Sequence, residues 1–399
     1  MTSLGRSFGF VIFVLTATAT PILAQELPQA RSAETYLGDL TVGENYKILG
    51  NVRSDGLMHI YFVETPYGRF QVIGDGLMKQ RIQELRAMQV LEQMSRSEVF
   101  AKSFGQAATA PLRFGVDLIV QPGETINRSL SGVGNMFDQF GASVANSRSS
   151  RDNPLNSALG VDAARRQLAV GLSVDPYTDF APLAQELQDV ASAAALGGIS
   201  IKAAFAVIPG GVGIAISSSG SARSAMDSVR DKTSAQIIQE VRTTLRALNV
   251  SNEVVNRLVE NRAYTPTDLL VLSKALERLN AANTTVFIER AAQAGSRDVA
   301  FFQRRRAELL AEQTTGISEF ILVAGFPLNR TRTGAIWAVF PLDEVLWTST
   351  NSRAFTAVAE ELRRAGLTRS APTFATNGIA SKAAVSEMSK LGWKFVQLK

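Results

Sequence analysis

The chain has 399 residues, no cysteine and a single histidine, with 46% apolar and 19% charged side chains and a net charge of +5. This is a globular composition, long enough for two or three domains and a substantial core. It excludes disulfides, lipidation on an N-terminal cysteine, cysteine nucleophiles and a Cys/His zinc site, and the mild charge argues against nucleic acid as a partner.

Arg6 precedes an uncharged, mostly apolar run over 8–19 (FGFVIFVLTATA), and Pro21-Ile22-Leu23-Ala24 ends on a small residue before Gln25-Glu26. That layout predicts a signal peptide over 1–24, cleaved after Ala24. The run is about a dozen residues, against the roughly 20 that a membrane-spanning helix needs. The expected compartment is the periplasm or cell envelope of a bacterium. The sequons at Asn127, Asn249, Asn283 and Asn329 are then chance, or turn and cap chemistry.

Residues 25–36 are polar and read as a linker. From 37 to 150 the pattern is a small β-meander followed by long amphipathic helices. Strands are expected over 46–52, 57–64 and 69–73, separated by Ser54-Asp55-Gly56 and Pro66-Tyr67-Gly68 turns. A helix over 77–104 follows, with Met78, Ile82, Leu85, Met88, Leu91 and Met94 on one face. A second is expected over 125–145. The polar stretch 147–156 (SRSSRDNPLN) reads as a mobile boundary.

The pattern from 157 to 316 is helical. Thr265-Pro266-Thr267-Asp268 is a helix start, with Thr265 as cap and Pro266 in the first helical position. Thr233 or Ser234, Ser251 and Ser296 are further caps. Arg304-Arg305-Arg306 reads as a solvated helix face. The last part, 317–399, alternates strands (319–326, 335–340, 373–376 and 393–398) with helices over 353–365 and from Ser381 to Gly392. The expected fold class is α+β, predominantly helical: an N-terminal antiparallel β-meander, a central helical domain and a C-terminal α+β unit.

The unusual segment is 190–219, in which Lys202 is the only charge. It carries Gly197-Gly198 and Pro209-Gly210-Gly211, with Gly213 just beyond. It reads as a core hairpin or, in the alternative, one that contacts a membrane, where small residues let helices approach closely. The arms are short for a span. Gly211 and Gly213 do not make a dinucleotide loop, because Ile216 occupies the third glycine position.

No motif assigns a catalytic residue, a cofactor or a metal. His59 sits mid-strand on the face of Tyr61 and reads as a packed side chain. No Gly-x-Ser-x-Gly elbow, phosphate loop or Ser-x-x-Lys occurs. Carboxylates available to a glycosidase-like pair are Asp343 with Glu344, Glu64, and Asp179 with Glu186, and their spacing singles out none.

Three stretches resemble a group of uncharacterised exported bacterial proteins. They are Leu57-Met58-His59-Ile60-Tyr61 with Tyr67-Gly68-Arg69-Phe70, the run from Ala164 to Ala169 leading into Val174-Asp175-Pro176-Tyr177, and Leu391-Gly392-Trp393-Lys394. The resemblance implies export and one architecture across the mature chain, and it transfers no functional residue. The expected function is that of a non-catalytic envelope protein that binds an unknown envelope partner. The alternatives are membrane association through 190–219 and a carboxylate-dependent hydrolase of envelope polymers.

Overall fold

The computed structural model describes residues 25–98, 100, 150–206, 227–313 and 316–398. The segments read as signal peptide and as the 125–145 helix lie outside them, as do Pro209, Gly210, Gly211 and Gly213. Helices hold 53% and strands 18%, so the predominantly helical α+β class holds, with an antiparallel sheet first, helices in the middle and a mixed sheet last.

The N-terminal sheet is built on β5 (His59–Thr65). β3 (Tyr46–Ile48), β4 (Asn51–Ser54) and β6 (Gly68–Ile73) all pair with it antiparallel. The first expected strand is two strands, because Gly50 at φ 60° turns the chain between them. β5 alternates inward Tyr61 and Val63 with more exposed neighbours. Asp55 holds the turn before β5 by accepting the backbone N–H groups of Leu57 and Met58.

The stretch read as a linker is anchored at both ends. Glu26 exchanges backbone and side-chain hydrogen bonds with Trp347 and accepts the Ser381 hydroxyl. Arg31–Ser32 adds a short strand, β1, beside β4, and Glu34–Leu37 forms a helical turn, α1, that buries Leu37. A polar composition identified the surface location and not these directed bonds.

Gly74, at φ 96°, turns β6 into the helix α2 (Asp75–Ser95). The helix is shorter than expected, and its apolar stripe behaves as read: Met78, Ile82, Leu85, Met88, Leu91 and Met94 are all buried. Its first half packs on the meander. Its second half packs on the helices Val161–Gly171 and Ala181–Gly197.

That second contact buries Glu186 close to Asp189 and Glu92, with Arg96 as the opposing charge and the Tyr67 ring nearby. Burial first, then these carboxylates, pushes Glu186 up to about 7 from 4.5. A carboxyl raised in the folded state is harmless below its unfolded pKa and destabilises fully above its folded one. Glu186→Gln is therefore expected to raise stability at pH 8 by on the order of 2 kcal/mol after allowance for solvent screening. The gain should vanish by pH 4. Urea denaturation at the two pH values checks this, and an equal gain at both would rule out the charge as the cause.

The central helices follow the caps read from the sequence. Thr233 and Thr265 each close a capping box, with Gln236 and Asp268 respectively, and Ser251 caps Asn252–Glu260. Ile237, Val241, Leu245, Leu269, Leu272 and Leu276 fill a common core with Phe287 and Phe320.

The C-terminal sheet runs β13-β11-β9-β8-β7, from Lys394–Gln397 through Thr373–Thr376, Ile336–Val339 and Phe326–Thr331 to Ile317–Val323. β11 is parallel to β9 and to β13, and the helices Ser349–Arg364 and Lys382–Lys390 make the crossovers. One face of this sheet joins the central core. The other packs on its own two helices together with Leu57 and Met58.

The strand expected over 319–326 ends instead at Val323, and a further strand, Phe326–Thr331, returns beside it. Ala324 and Gly325 make the turn, both at positive φ. The arginine triplet is likewise not a solvated face. Arg306 is fully buried, donates to the Val339 and Pro327 carbonyls and stacks on Phe340 at 4.2 Å. Arg304 is buried near Asp268 and Glu308.

Candidate functional site

The N-terminal and C-terminal parts of the chain meet around His59. The 55–58 turn lies along the chain after β9: Asp343 and Glu344 donate their backbone N–H groups to the Leu57 carbonyl, and Leu346 donates to that of Gly56. Gly378 lets the 377–379 loop lie directly on the Leu342 and Asp343 carbonyls, where a Cβ would collide with backbone. These contacts bring the first residue of β5, the first of α2 and the loop after β9 to one point.

His59 Nδ1 lies 2.7 Å from Asp75 Oδ1 and 3.9 Å from Asp343 Oδ2. The Tyr61 hydroxyl donates to the same Asp75 oxygen at 2.5 Å. Asp343 accepts the backbone N–H of His59 at 2.9 Å and that of Asp75 at 3.1 Å. The Tyr36 ring covers the imidazole, with centroids 3.8 Å apart. His59 is only 2% exposed, and its Nε2 has no hydrogen-bond partner; Glu344 Oε1 is 3.9 Å away.

The electrostatics follow from this crowding. Burial opposes protonation of His59, but the Asp75 hydrogen bond and the charges of Asp75, Asp343 and Glu344 outweigh it and raise the imidazole pKa. Burial, reinforced by the Asp75 charge, pushes the Asp343 carboxyl up to about 8, against the two backbone N–H bonds and the His59 charge. Burial and Asp75 together also push the Tyr61 phenol well above its ordinary value.

The cluster opens onto a cavity of about 800 Å³ enclosed by all three parts of the chain. Tyr36, His59, Asp75, Asp343 and the 377–379 loop line it together with Gln80, Asp175, Asp268 and Arg304. Several of its charges are already matched within the protein: Asp268 by Arg297, Glu84 by Arg81, Asp227 by Arg230.

The carboxylates named from the sequence are not brought together as a set. Asp343 and Glu344 flank His59. Glu64 pairs with Arg69 at the surface, Asp179 lies between Arg81 and Arg297, and Glu186 is in the α2 contact described above. Asp75 went unrecognised, although Gly74-Asp75 at a strand-to-helix junction was a local signal for it.

Of the unusual apolar segment, Ala181–Gly197 is helical and ends at Gly198 in the left-handed conformation, and Ile201–Ala206 follows. Val190, Ala193, Ala194 and Ala204 are buried against α2 and Val161–Gly171, while Gly197, Gly198 and Lys202 are exposed. Among the described residues no helix is long and apolar enough to cross a membrane. No family model matches this chain, and no match is found among curated proteins or solved structures.

Proposed function

We propose that this is an exported bacterial envelope protein that binds a polar small molecule in the cavity between its three parts, without turning it over. The cavity carries the proposal. Its volume lies within the range of roughly 300–1,000 Å³ usual for small-molecule sites. Its lining offers carboxylates, amides, hydroxyls and guanidinium groups to one space, which suits a hydroxyl- or amine-bearing ligand such as a sugar or an amino-sugar fragment of an envelope polymer. Export rests on the layout of 1–24.

The surroundings of the imidazole favour binding over hydrolysis. A Ser-His type mechanism needs a hydroxyl nucleophile on one imidazole nitrogen and an orienting carboxylate on the other. Here both nitrogens face carboxylates, Asp75 on one side and Glu344 on the other.

The test uses full-length precursor expressed in a bacterium, with the mature protein recovered from the envelope fraction and its N-terminus sequenced. Thermal shifts are then measured with N-acetylglucosamine and its oligomers, D- and L-amino acids and spermidine. The expected result is an N-terminus at Gln25 and a saturable rise in Tm with at least one probe. The rise should be lost in Gln80→Trp, which fills the cavity, and the ligand should be recovered unchanged. No shift with any probe, or a shift that Gln80→Trp leaves intact, overturns the cavity reading. An N-terminus at Met1 overturns export.

A further inference from the structure

We infer that His59, Asp75 and Asp343 form a binding site for a first-row divalent metal ion such as Mn²⁺ or Zn²⁺, held through His59 Nδ1 and one oxygen of each carboxylate. One ligand atom from each of the three lies within 4.8 Å of the other two. A metal with bonds of about 2.0–2.2 Å to nitrogen and oxygen requires its ligands to converge on that scale. A mixed imidazole and carboxylate set suits this class of ion better than the all-oxygen shells of Ca²⁺ and Mg²⁺.

Packing alone leaves two features of the cluster unexplained. His59 is buried with Nε2 unsatisfied, and the carboxylates of Asp75 and Asp343 come within 4.8 Å of each other beside it. A cation on Nδ1 bears on both. It fixes the proton on Nε2, whose nearest carboxylate oxygen is Glu344 Oε1 at 3.9 Å; a small approach of Glu344 would give the carboxylate–histidine–metal arrangement that commonly orients such ligands. It also offsets the mutual repulsion of two carboxylates whose ligand oxygens lie within 4.8 Å of one another.

The remaining bonds already hold the ligands in place. Tyr61 and the backbone N–H groups of His59 and Asp75 fix the carboxylates, and Tyr36 fixes the plane of the imidazole. The cavity supplies the entry path, since His59, Asp75 and Asp343 all line it. The inference rests on the cluster itself and needs no ligand in the rest of the cavity.

The experiment is calorimetric titration of the chelator-treated full chain with MnCl₂ and with ZnCl₂, and pulsed EPR of the Mn²⁺ form. One ion per chain is expected, at micromolar Kd or tighter. Asp75→Asn and Asp343→Asn should each weaken it at least tenfold, and the EPR should show coupling to one imidazole nitrogen that His59→Gln removes. Circular dichroism establishes that each variant is folded. The wild-type spectrum decides even where a variant does not fold: no bound ion, or bound Mn²⁺ without nitrogen coupling, overturns the site. Repeating the cavity probes in EDTA separates the two readings, because a thermal shift that survives the chelator supports the cavity whatever the metal does.

Discussion

Replacing Arg297 with methionine should cost about 3–5 kcal/mol of folding stability, the range for removing one partner of a buried ion pair. Arg297 donates from Nε to Asp179 at 2.9 Å and from Nη1 to Asp268 at 2.5 Å, and all three side chains are buried. Arg81 donates to the other Asp179 oxygen at 2.8 Å and to Glu84 at 2.6 Å. The alternating chain Glu84–Arg81–Asp179–Arg297–Asp268 joins α2, the 175–180 loop and the helices Pro266–Leu279 and Arg297–Gln313. Burial works against an ionised Asp179, but the Arg81 and Arg297 charges overcome it and hold the carboxyl below its usual range.

Methionine preserves much of the arginine stem's volume and removes the charge. Asp179 is left with Arg81 alone. Asp268 is left with Arg304 at 3.5 Å and with its cap bond from the Thr265 backbone. Two carboxylates then stay out of water with half their compensation. Guanidinium chloride denaturation measures the loss, with Arg364→Met as control: Arg364 meets Glu361 in a largely exposed pair. The control should change stability by less than about 1 kcal/mol. If Arg297→Met proves as mild as the control, the network is not a determinant of stability.

The helical part of this architecture was legible because its signals are local. A cap, a proline in the first turn and an apolar stripe all sit within one helix, and Thr265-Pro266-Thr267-Asp268 shows all the start signals in four residues. The missed hairpin at Ala324-Gly325 shows the limit. The run EFILVAGF is continuously apolar, so its period cannot show that it folds back, and only one glycine marks the place.

Polar faces were misread for a different reason. Periodicity shows which side of a helix is apolar, but not whether its polar side meets water or another polar side. Arg304 and Arg306 therefore looked solvated and are buried. The candidate site was the least legible part. Asp75 lies 16 residues from His59 and Asp343 lies 284 away, so only the contact of the 55–58 turn with the chain after β9 joins them. Asp343 was visible as one of several carboxylates, but nothing in its neighbours in sequence marked it.

The polar stretch 147–156, which reads as a boundary, contains one of the most connected carboxylates of the molecule. Asp152 Oδ1 accepts from Arg165 at 2.9 Å and from Arg166 at 3.0 Å. Its Oδ2 accepts from the Tyr177 hydroxyl at 3.0 Å and from the backbone N–H of Ser234 at 2.5 Å, and its own N–H donates to the Ser234 hydroxyl. Asp152→Ala is therefore expected to cost about 3–5 kcal/mol, because it leaves two neighbouring buried guanidinium groups without their shared anion. Arg165 retains Asp162 at 3.6 Å, and Arg166 retains only the Arg230 carbonyl among its described hydrogen bonds. Asp152→Asn removes the charge but keeps an acceptor, so its loss should be smaller, at about 1–3 kcal/mol. Adding Arg166→Met to Asp152→Ala should restore part of the stability, because it removes one of the two stranded cations. A double-mutant cycle in urea should then show a coupling energy of about 1–3 kcal/mol. Coupling near zero would mean that Asp152 acts through the Ser234 and Tyr177 bonds and not through charge. A total loss under about 1 kcal/mol would mean that the stretch is the loose boundary its composition suggests.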